Sequence, residues 1–458
     1  MPCDSLEQLV DDILIEILCG LPVRDILSVR QASKRLSFVT RTRNVWHHKF
    51  CSEVLGRGPS LSEDGSRFLS VSSSDLEWRT RRAMRLHKKW TAIDSVKACT
   101  FEVPAEHGPA RQVMLVPEAW RILTVHENRV LCWQLLDSLD SGLSVQPSGE
   151  YAFPSDDAPR LVRDSAGSDI IALGSRTRHQ MPVIIFSVAK HPSFVERHVI
   201  PSLPGLLVGM WHHLLFCDTT MPDVVEDARG IEIRDWRHHG GGTVLCPKFH
   251  PSCGDLLDLQ IFSCHLLVVW DAAIAVYPMP EIPEEGQTIA EPVKIYLFAE
   301  RVSRPIAFTT CRANLDTASA AAANSSTAAQ ALTIIARPKF RPYGLVHSVM
   351  RPLIGDTSDF PFSLTRIPNR TERICSALSC GSSGRGIWID CKSVLRCSPA
   401  PMMLPSSDIQ YTVDFVPNPV WTLNTRLNPE TACMDFDEGM GLIVVGTEGG
   451  KVSIIDLA

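Results

Sequence analysis

Leu9, Ile13, Ile17 and Leu21 recur every four residues with Asp11, Asp12 and Glu16 between them, a pattern that predicts an amphipathic helix with one apolar stripe. Leu21-Pro22 closes it. Asp25 is the candidate N-cap of a second helix, because its carboxylate can accept a bond from an orphan backbone N–H. That helix carries Ile26, Leu27, Val29 and Leu36, with Arg30, Lys34 and Arg35 on other faces. A third helical pattern ends in Val45-Trp46-His47-His48-Lys49-Phe50. So small a unit holds more large apolar residues than its own core needs, so some are expected to serve a partner.

Between Cys51 and Ser74 the chain turns Gly/Ser-rich, the composition of a linker. Asp75-Leu76-Glu77-Trp78 then opens a helical stretch over 75–90, with Asp75 as its cap. Leu76, Arg79, Ala83, Leu86 and Trp90 share helical spacing, and Arg81, Arg82, Arg85, Lys88 and Lys89 supply charge. Such a basic amphipathic helix can serve calmodulin, a membrane surface or nuclear targeting. The simpler reading is a linker helix whose Trp78 and Trp90 pack on neighbours and whose cations are solvated.

From about Val96 the pattern changes to short strands in pairs: an aliphatic run, a polar turn, then a second run. Ile122–Val125 precedes Val130–Trp133, Ile170–Leu173 precedes Val183–Phe186, and Leu214–Phe216 precedes Ile231–Ile233. Leu266–Val269 precedes Ala273–Tyr277, Thr333–Ala336 precedes Leu345–His347, and Ser376–Leu378 precedes Gly386–Asp390. The last unit runs Cys433–Phe436, Leu442–Gly446 and Lys451–Leu457, with glycines at its turns where hairpins need positive φ. That makes about seven units at intervals of roughly 40 to 70 residues, the period of propeller blades with loop insertions. A pair of packed sheets in a β-sandwich is the competing architecture. Because the last unit ends near Ala458, its outer edge needs a strand from elsewhere, and the segment Val96 to Val103 is the natural donor. Residues 316–331, almost entirely Ala, Ser, Thr and Asn, read as a loop within the fifth unit.

Composition narrows the function classes. The chain has 458 residues, is 45% hydrophobic and 21% charged, and carries a net charge of -6, so nothing draws it to nucleic acid or an anionic membrane. Its start is acidic and polar, unlike a signal peptide, and no run reaches the roughly 18 apolar residues of a membrane span. The expectation is a soluble protein of the cytoplasm, the nucleus or both. The 15 cysteines show no Cys-x-x-Cys and no zinc-finger spacing to His, so no metal or cofactor is predicted. Cys132, Cys217 and Cys264 sit in apolar runs, where a free thiol acts as a small buried hydrophobe.

Catalytic motifs fail on inspection. His238-His239-Gly240-Gly241-Gly242 has the look of a lipase oxyanion loop without the Gly-x-Ser-x-Gly nucleophile elbow, and a glycine-rich hairpin loop explains it. Gly446–Lys451 imitates part of a phosphate loop, but Val452 stands where a magnesium-binding Ser or Thr is required. Asp235, Asp271 and Asp390 fall at strand ends, as turn carboxylates do. No catalytic residue is assigned and the chain is read as a non-enzyme; a propeller enzyme is the outlying alternative.

The first fifty residues resemble an F-box. The run Leu9-Val10-Asp11-Asp12-Ile13, then Ile17-Leu18, Leu21-Pro22, Asp25-Ile26-Leu27, Ala32-Ser33-Lys34 and Trp46 follows the family's Leu-Pro-x-Glu-Leu, spaced aliphatic pair, Leu-x-x-x-Asp-Leu-Leu and closing Trp. Val10 stands where the family has Pro, Asp12 replaces Glu, and Ser33 replaces Cys. The C-terminal unit is similar to the last strands of a WD-repeat blade, with the hallmark degenerate: no Gly-His occurs, and Trp270-Asp271 falls elsewhere in its hairpin. The fold expected is therefore an α+β multidomain chain: a three-helix F-box at 1–50, a linker at 51–95, and an all-β propeller of about seven blades at 96–458.

The resemblance implies a substrate receptor of an SCF-type ubiquitin ligase. The F-box would dock on a Skp-family adaptor, and through it on cullin and RING subunits, while the propeller holds an unidentified substrate protein. Leu9, Ile13, Ile17, Leu21, Pro22, Ile26, Leu27 and Trp46 are the positions expected at the adaptor, shared with the domain's own core. If the substrate carries phosphate, Arg160, Arg234, Arg304 and Arg373 are candidates to meet it. A propeller scaffold that delivers nothing for degradation is the alternative.

Overall fold

The computed structural model describes residues 9–55, 72–91, 97–312 and 330–457, apart from 105–106, 117–119, 139–141, 154–158, 165–169, 176–181, 189–193, 202–204, 222–227, 239–240, 246–253, 263, 341–345, 354–357, 368–374, 381–385, 391–393, 398–417, 423–432, 439 and 448–449. Two units are distinguishable: residues 1–95 with 438–441 and 457–458, and residues 96–437 with 442–456.

The first unit is helical: α1 (Asp11–Gly20), α2 (Val23–Val29), α3 (Lys34–Val39), α4 (Arg43–Lys49), a π-helical turn at Phe50–Leu55, and α5 (Ser73–Thr91). Three corrections to the sequence reading follow. The second predicted helix is two, α2 and α3, and the third pattern is α4; α3 ends where Thr40 Oγ1 and Thr42 Oγ1 bond back to the carbonyls of Ser37 and Val39. Leu36 belongs to α3, whose N-cap Ser33 accepts from the Leu36 N–H at 3.2 Å. Asp25 does not cap α2: Pro22 is the N-cap, its carbonyl taking the N–H groups of Asp25 and Ile26, and Asp25 lies in the first turn. Its charge there suits the positive end of the helix dipole.

The second unit is a β-propeller-like array of seven sheets. Four of them use four consecutive strands each, within 112–152, 159–200, 302–367 and 375–422. The third sheet holds Leu206–Trp211, Leu214–Met221, Ala228–Asp235 and Gly242–Leu245, and takes Gln287–Ala290 as a fifth strand. The fourth holds Leu256–Phe262, His265–Trp270, Ala273–Pro278 and Lys294–Leu297. Each hairpin read from the sequence pairs as expected, from Ile122↔Trp133 to Leu378↔Trp388. Residues 316–329 of the Ala/Ser-rich stretch lie outside the described residues; Gln330 and Ala331 open the strand Gln330–Pro338.

The last sheet draws on both ends of the unit. Lys97–Glu102 lies antiparallel to Lys451–Asp456, in register from Lys97↔Asp456 to Glu102↔Lys451, outside Leu442–Gly446 and Cys433–Asp437. The donor is the expected segment. Gly441 and Gly450 hold φ of +65° and +74° at the two turns of this sheet, conformations a side chain disfavours. Cys132 and Cys217 are buried as predicted, whereas Cys264 is exposed because it occupies a tight turn with φ +60°.

The first strands of the seven sheets touch one another in cyclic order, so the array is a ring and not a sandwich. A first strand has one edge outside its own ladder, and polar side chains from neighbouring sheets satisfy groups there. Asp435 accepts from the Leu115 N–H at 2.7 Å, and the Gln112 amide both donates to the Leu161 carbonyl (2.8 Å) and accepts from its N–H (3.0 Å). Arg304 Nε donates to the Leu257 carbonyl at 3.0 Å, and Asp164 accepts at 2.7 Å from the N–H of His212, in the turn just past the first strand Leu206–Trp211. Asp271, fully buried in the turn after Trp270, accepts from Lys339 Nζ at 2.6 Å. Gly254 (φ +76°) makes room for it, since a Cβ there would fall 1.9 Å from Asp271 Oδ1.

A buried polar chain pins the first sheet. Trp133 Nε1 donates to Thr124 Oγ1 (3.0 Å), which lies 3.0 Å from His126 Nε2, and His126 Nδ1 lies 3.1 Å from the Gly108 carbonyl. A carbonyl can only accept, so Nδ1 carries the proton, and Nε2 accepts from the Thr124 hydroxyl. Every member is satisfied with His126 neutral, and burial pushes its pKa below the ordinary value.

Two outcomes are expected. In the unfolded chain His126 takes up a proton near pH 6.5, while the folded chain resists it, so this contribution is complete above that pH and is lost as pH falls below it. Chemical denaturation from pH 7.5 to 5.5 should show a steeper loss of stability for the wild type than for His126→Gln; equal slopes would refute the assignment. A chain beginning at Val96 should elute as a soluble monomer, whereas one beginning at Pro104 exposes the edge of Lys451–Asp456 and should aggregate.

Candidate functional site

α1 is apolar on two faces. Leu14 and Leu18 are buried in a core with Val23, Ile26, Leu36, Val39, Val45, Trp46, Phe50 and Leu76. Ile13 and Ile17, one residue earlier on each turn, are 49% and 40% exposed, and Val10 is 61% exposed. A helix has room for one core stripe of roughly 100°, so the doublets Ile13-Leu14 and Ile17-Leu18 necessarily put two large side chains outside it. The entry to α1 is fixed by Arg35, which donates to the Leu9 carbonyl (2.6 Å) and to Asp11 Oδ1 (2.7 Å).

The core below is tied by one aromatic and one ion pair. Trp46 is fully buried and its Nε1 donates to the Thr40 carbonyl at 2.8 Å. The Arg30 guanidinium stands 5.7 Å from the Trp46 ring centroid and donates to both Glu77 oxygens at 2.8 Å. Glu77 lies on α5, and Leu76 beside it is fully buried in the same core, so α5 is a docked element of this unit. Arg82, read as a solvated cation, is buried instead; its Nε donates to the Met440 carbonyl at 2.6 Å, and its guanidinium stacks 5.5 Å from Trp78. The Trp90 side chain lies outside the described residues.

The predicted positions therefore divide. Ile13, Ile17 and Pro22 face outward, and Leu9, Leu21 and Leu27 are half-buried against the core. Ile26 and Trp46 have no exposed surface: they belong to the core that supports the outward residues. Phe38, 72% exposed on α3, is an outward apolar residue that the sequence reading missed, because its neighbours Leu36 and Val39 supply the buried stripe. The core face of α1, Leu14 and Leu18, was also missed, although the doublets were visible.

Three of the four arginines are described, and each is engaged within the β-unit. Arg234, on the third strand of its sheet, is paired with buried Glu232 at 2.7 Å, which neutralises it. Arg304 is committed to the Leu257 carbonyl at 3.0 Å and that of Leu256 at 3.4 Å. Arg160 and Arg304 both lend positive charge to Asp258, whose carboxyl burial holds above the usual range against the pull of the Leu259 N–H and these two cations. Arg373 lies outside the described residues. Among the described residues no three His, Cys, Asp or Glu side chains gather as a metal site, and no helix is long and apolar enough to cross a membrane.

Core and face should respond differently to truncation. Ile26→Ala removes a fully buried side chain and should cost about 2–5 kcal/mol. Ile13→Ala and Ile17→Ala should each stay within about 0.5 kcal/mol. Urea denaturation of the three variants checks the division; a large loss at Ile13 or Ile17 would place them in the core.

Residues 6–48 match the F-box domain. No curated protein matches the chain.

Proposed function

We propose that this chain, an F-box protein with a β-propeller-like C-terminal region, is the substrate-recognition subunit of an SCF-type ubiquitin ligase. The observation that carries the reading is the outward apolar row Val10, Ile13 and Ile17, held on a core that Leu14, Leu18, Ile26 and Trp46 already complete. Exposed apolar side chains on a fully packed unit are binding surface, not core. Their occupant is a Skp-family adaptor, which connects the chain to cullin and RING subunits. The seven sheets serve as blades, and their loops hold the substrate protein.

In this reading the chain works by proximity and contributes no reacting group. Fixing a substrate lysine beside a ubiquitin thioester raises its effective concentration, which alone lowers a bimolecular barrier. Such a receptor acts in the cytoplasm, the nucleus or both.

Binding of the full chain to purified adaptor tests the docking face. Ile13→Asp with Ile17→Asp should weaken the complex about a hundredfold, since central apolar anchors each carry about 1–2 kcal/mol or more. The denaturation midpoint should stay unchanged. Undiminished binding would overturn the assignment of the face. Ubiquitin-chain formation on a co-purified protein by the reconstituted assembly separates a degradation receptor from a scaffold.

A further inference from the structure

The connection between the third and fourth strands of the fourth sheet takes a detour. After Ala273–Pro278 the chain first lays Gln287–Ala290 beside Gly242–Leu245 of the preceding sheet, in parallel, from Gly242↔Gln287 to Leu245↔Ala290. It then returns as Lys294–Leu297 on Ala273–Val276. The added strand is secured: the Gly242 N–H donates to the Gly286 carbonyl at 3.0 Å, and Thr288 Oγ1 meets Thr243 Oγ1 at 2.9 Å. In a parallel ladder alternate residues bond to the same neighbour, so Thr288 and Ala290 turn their backbone groups toward Gly242–Leu245. Gln287 and Ile289 turn theirs away. Among the described residues no strand covers that outer edge.

An open edge is a template for pairing, and proteins normally guard one with a charge inside the strand. This strand has none. It presents Ile289 at 60% exposure, with Val293 and Leu297 also exposed just beyond it. The charges flank it instead: Glu281, Glu284, Glu285, Glu291 and Glu300 lie within 281–300 against the single cation Lys294. That cation is turned aside, its Nζ donating to the carbonyls of Phe360 and Phe362 at 3.1 and 3.2 Å. Pro283 and Pro292 bracket the edge and limit what can pair to a short segment.

The geometry points to a peptide-docking edge: a basic, extended segment of a partner protein adds as a sixth strand along Gln287–Ala290, its backbone bonding to Gln287 and Ile289 and its cations meeting Glu284, Glu285 and Glu291. The negative flank selects the charge of the guest, and Ile289 gives it an apolar contact. The inference stands apart from what the helical unit docks on, so it survives or fails independently of the ligase reading.

Fluorescence anisotropy on the full chain tests it, with a labelled peptide of four Lys-Val repeats and a Glu-Val counterpart. The basic peptide should bind, more weakly as salt is raised, and the acidic one should not. Glu284→Gln with Glu285→Gln and Glu291→Gln should weaken binding roughly tenfold. Ile289→Pro removes an N–H that faces away from the ladder and should abolish binding without moving the melting temperature. Ile289→Lys, which keeps the backbone intact and puts a like charge in the strand, should do the same. Equal binding of the two peptides, or full binding by Ile289→Lys, would overturn the proposal. So would a wild-type dimer that both Ile289 variants convert to monomer, since a second copy would then occupy the edge.

Discussion

The β-unit depends on one antiparallel pairing, that of Lys97–Glu102 with Lys451–Asp456. A ring of sheets has no natural end; it stays closed only if its first and last sheets are joined, and here a six-residue register joins them. The contact is between residues about 350 apart, so it carries a large loop-closure entropy, which grows only slowly with length. What offsets that cost is the burial behind it. Ile443, Val444, Val445, Val452, Ile454 and Ile455 are all fully buried in the sheet this strand completes. Val103, just past the strand, is buried, and Phe101 within it sits 4.7 Å from the ring of Trp133 in the neighbouring sheet. Closing the ring thus also anchors the first sheet, through the residue that heads the Trp133–Thr124–His126 chain.

Between sheets, shared apolar clusters are supplemented by polar side chains. Asp435, Gln112 and Arg304 each reach a backbone group of an adjacent first strand, Asp164 reaches the His212 N–H in the turn after one, and Asp271 is met by Lys339 across a sheet boundary. Buried polar contacts of this kind give little net stability when made but cost much when one partner is lost. They therefore fix register between sheets more than they add free energy. The same commitment explains why arginines that looked available are not: Arg304 is structural, and Arg234 is neutralised by Glu232.

In the helical unit the governing fact is an excess of apolar side chains over core volume. Leu14, Leu18, Ile26, Trp46 and their neighbours fill the interior, so Ile13, Ile17 and Val10 stay outside on a rigid support. The Arg30–Glu77 pair, only slightly exposed on both sides, ties α5 to that support and sets the Arg30 cation over Trp46.

The sequence by itself determined the kinds of element and their pairing. Aliphatic runs around glycine turns locate hairpins, because strand alternation and positive φ are local requirements, and the donor strand at 96–103 was legible from an edge that needed covering. The F-box landmarks were equally local. The division of apolar residues between core and surface was not: Ile13 and Leu14 are chemically alike, and only packing against α3 and α4 decides which one turns inward. Nor was the fate of Arg82 and Arg304, since a cation's role depends on which carbonyl the fold brings to it, here one 358 and one 47 residues away. The parallel strand at Gln287–Ala290 was likewise unreadable, because pairing with a neighbouring sheet is a property of the assembled ring and leaves no period in the chain.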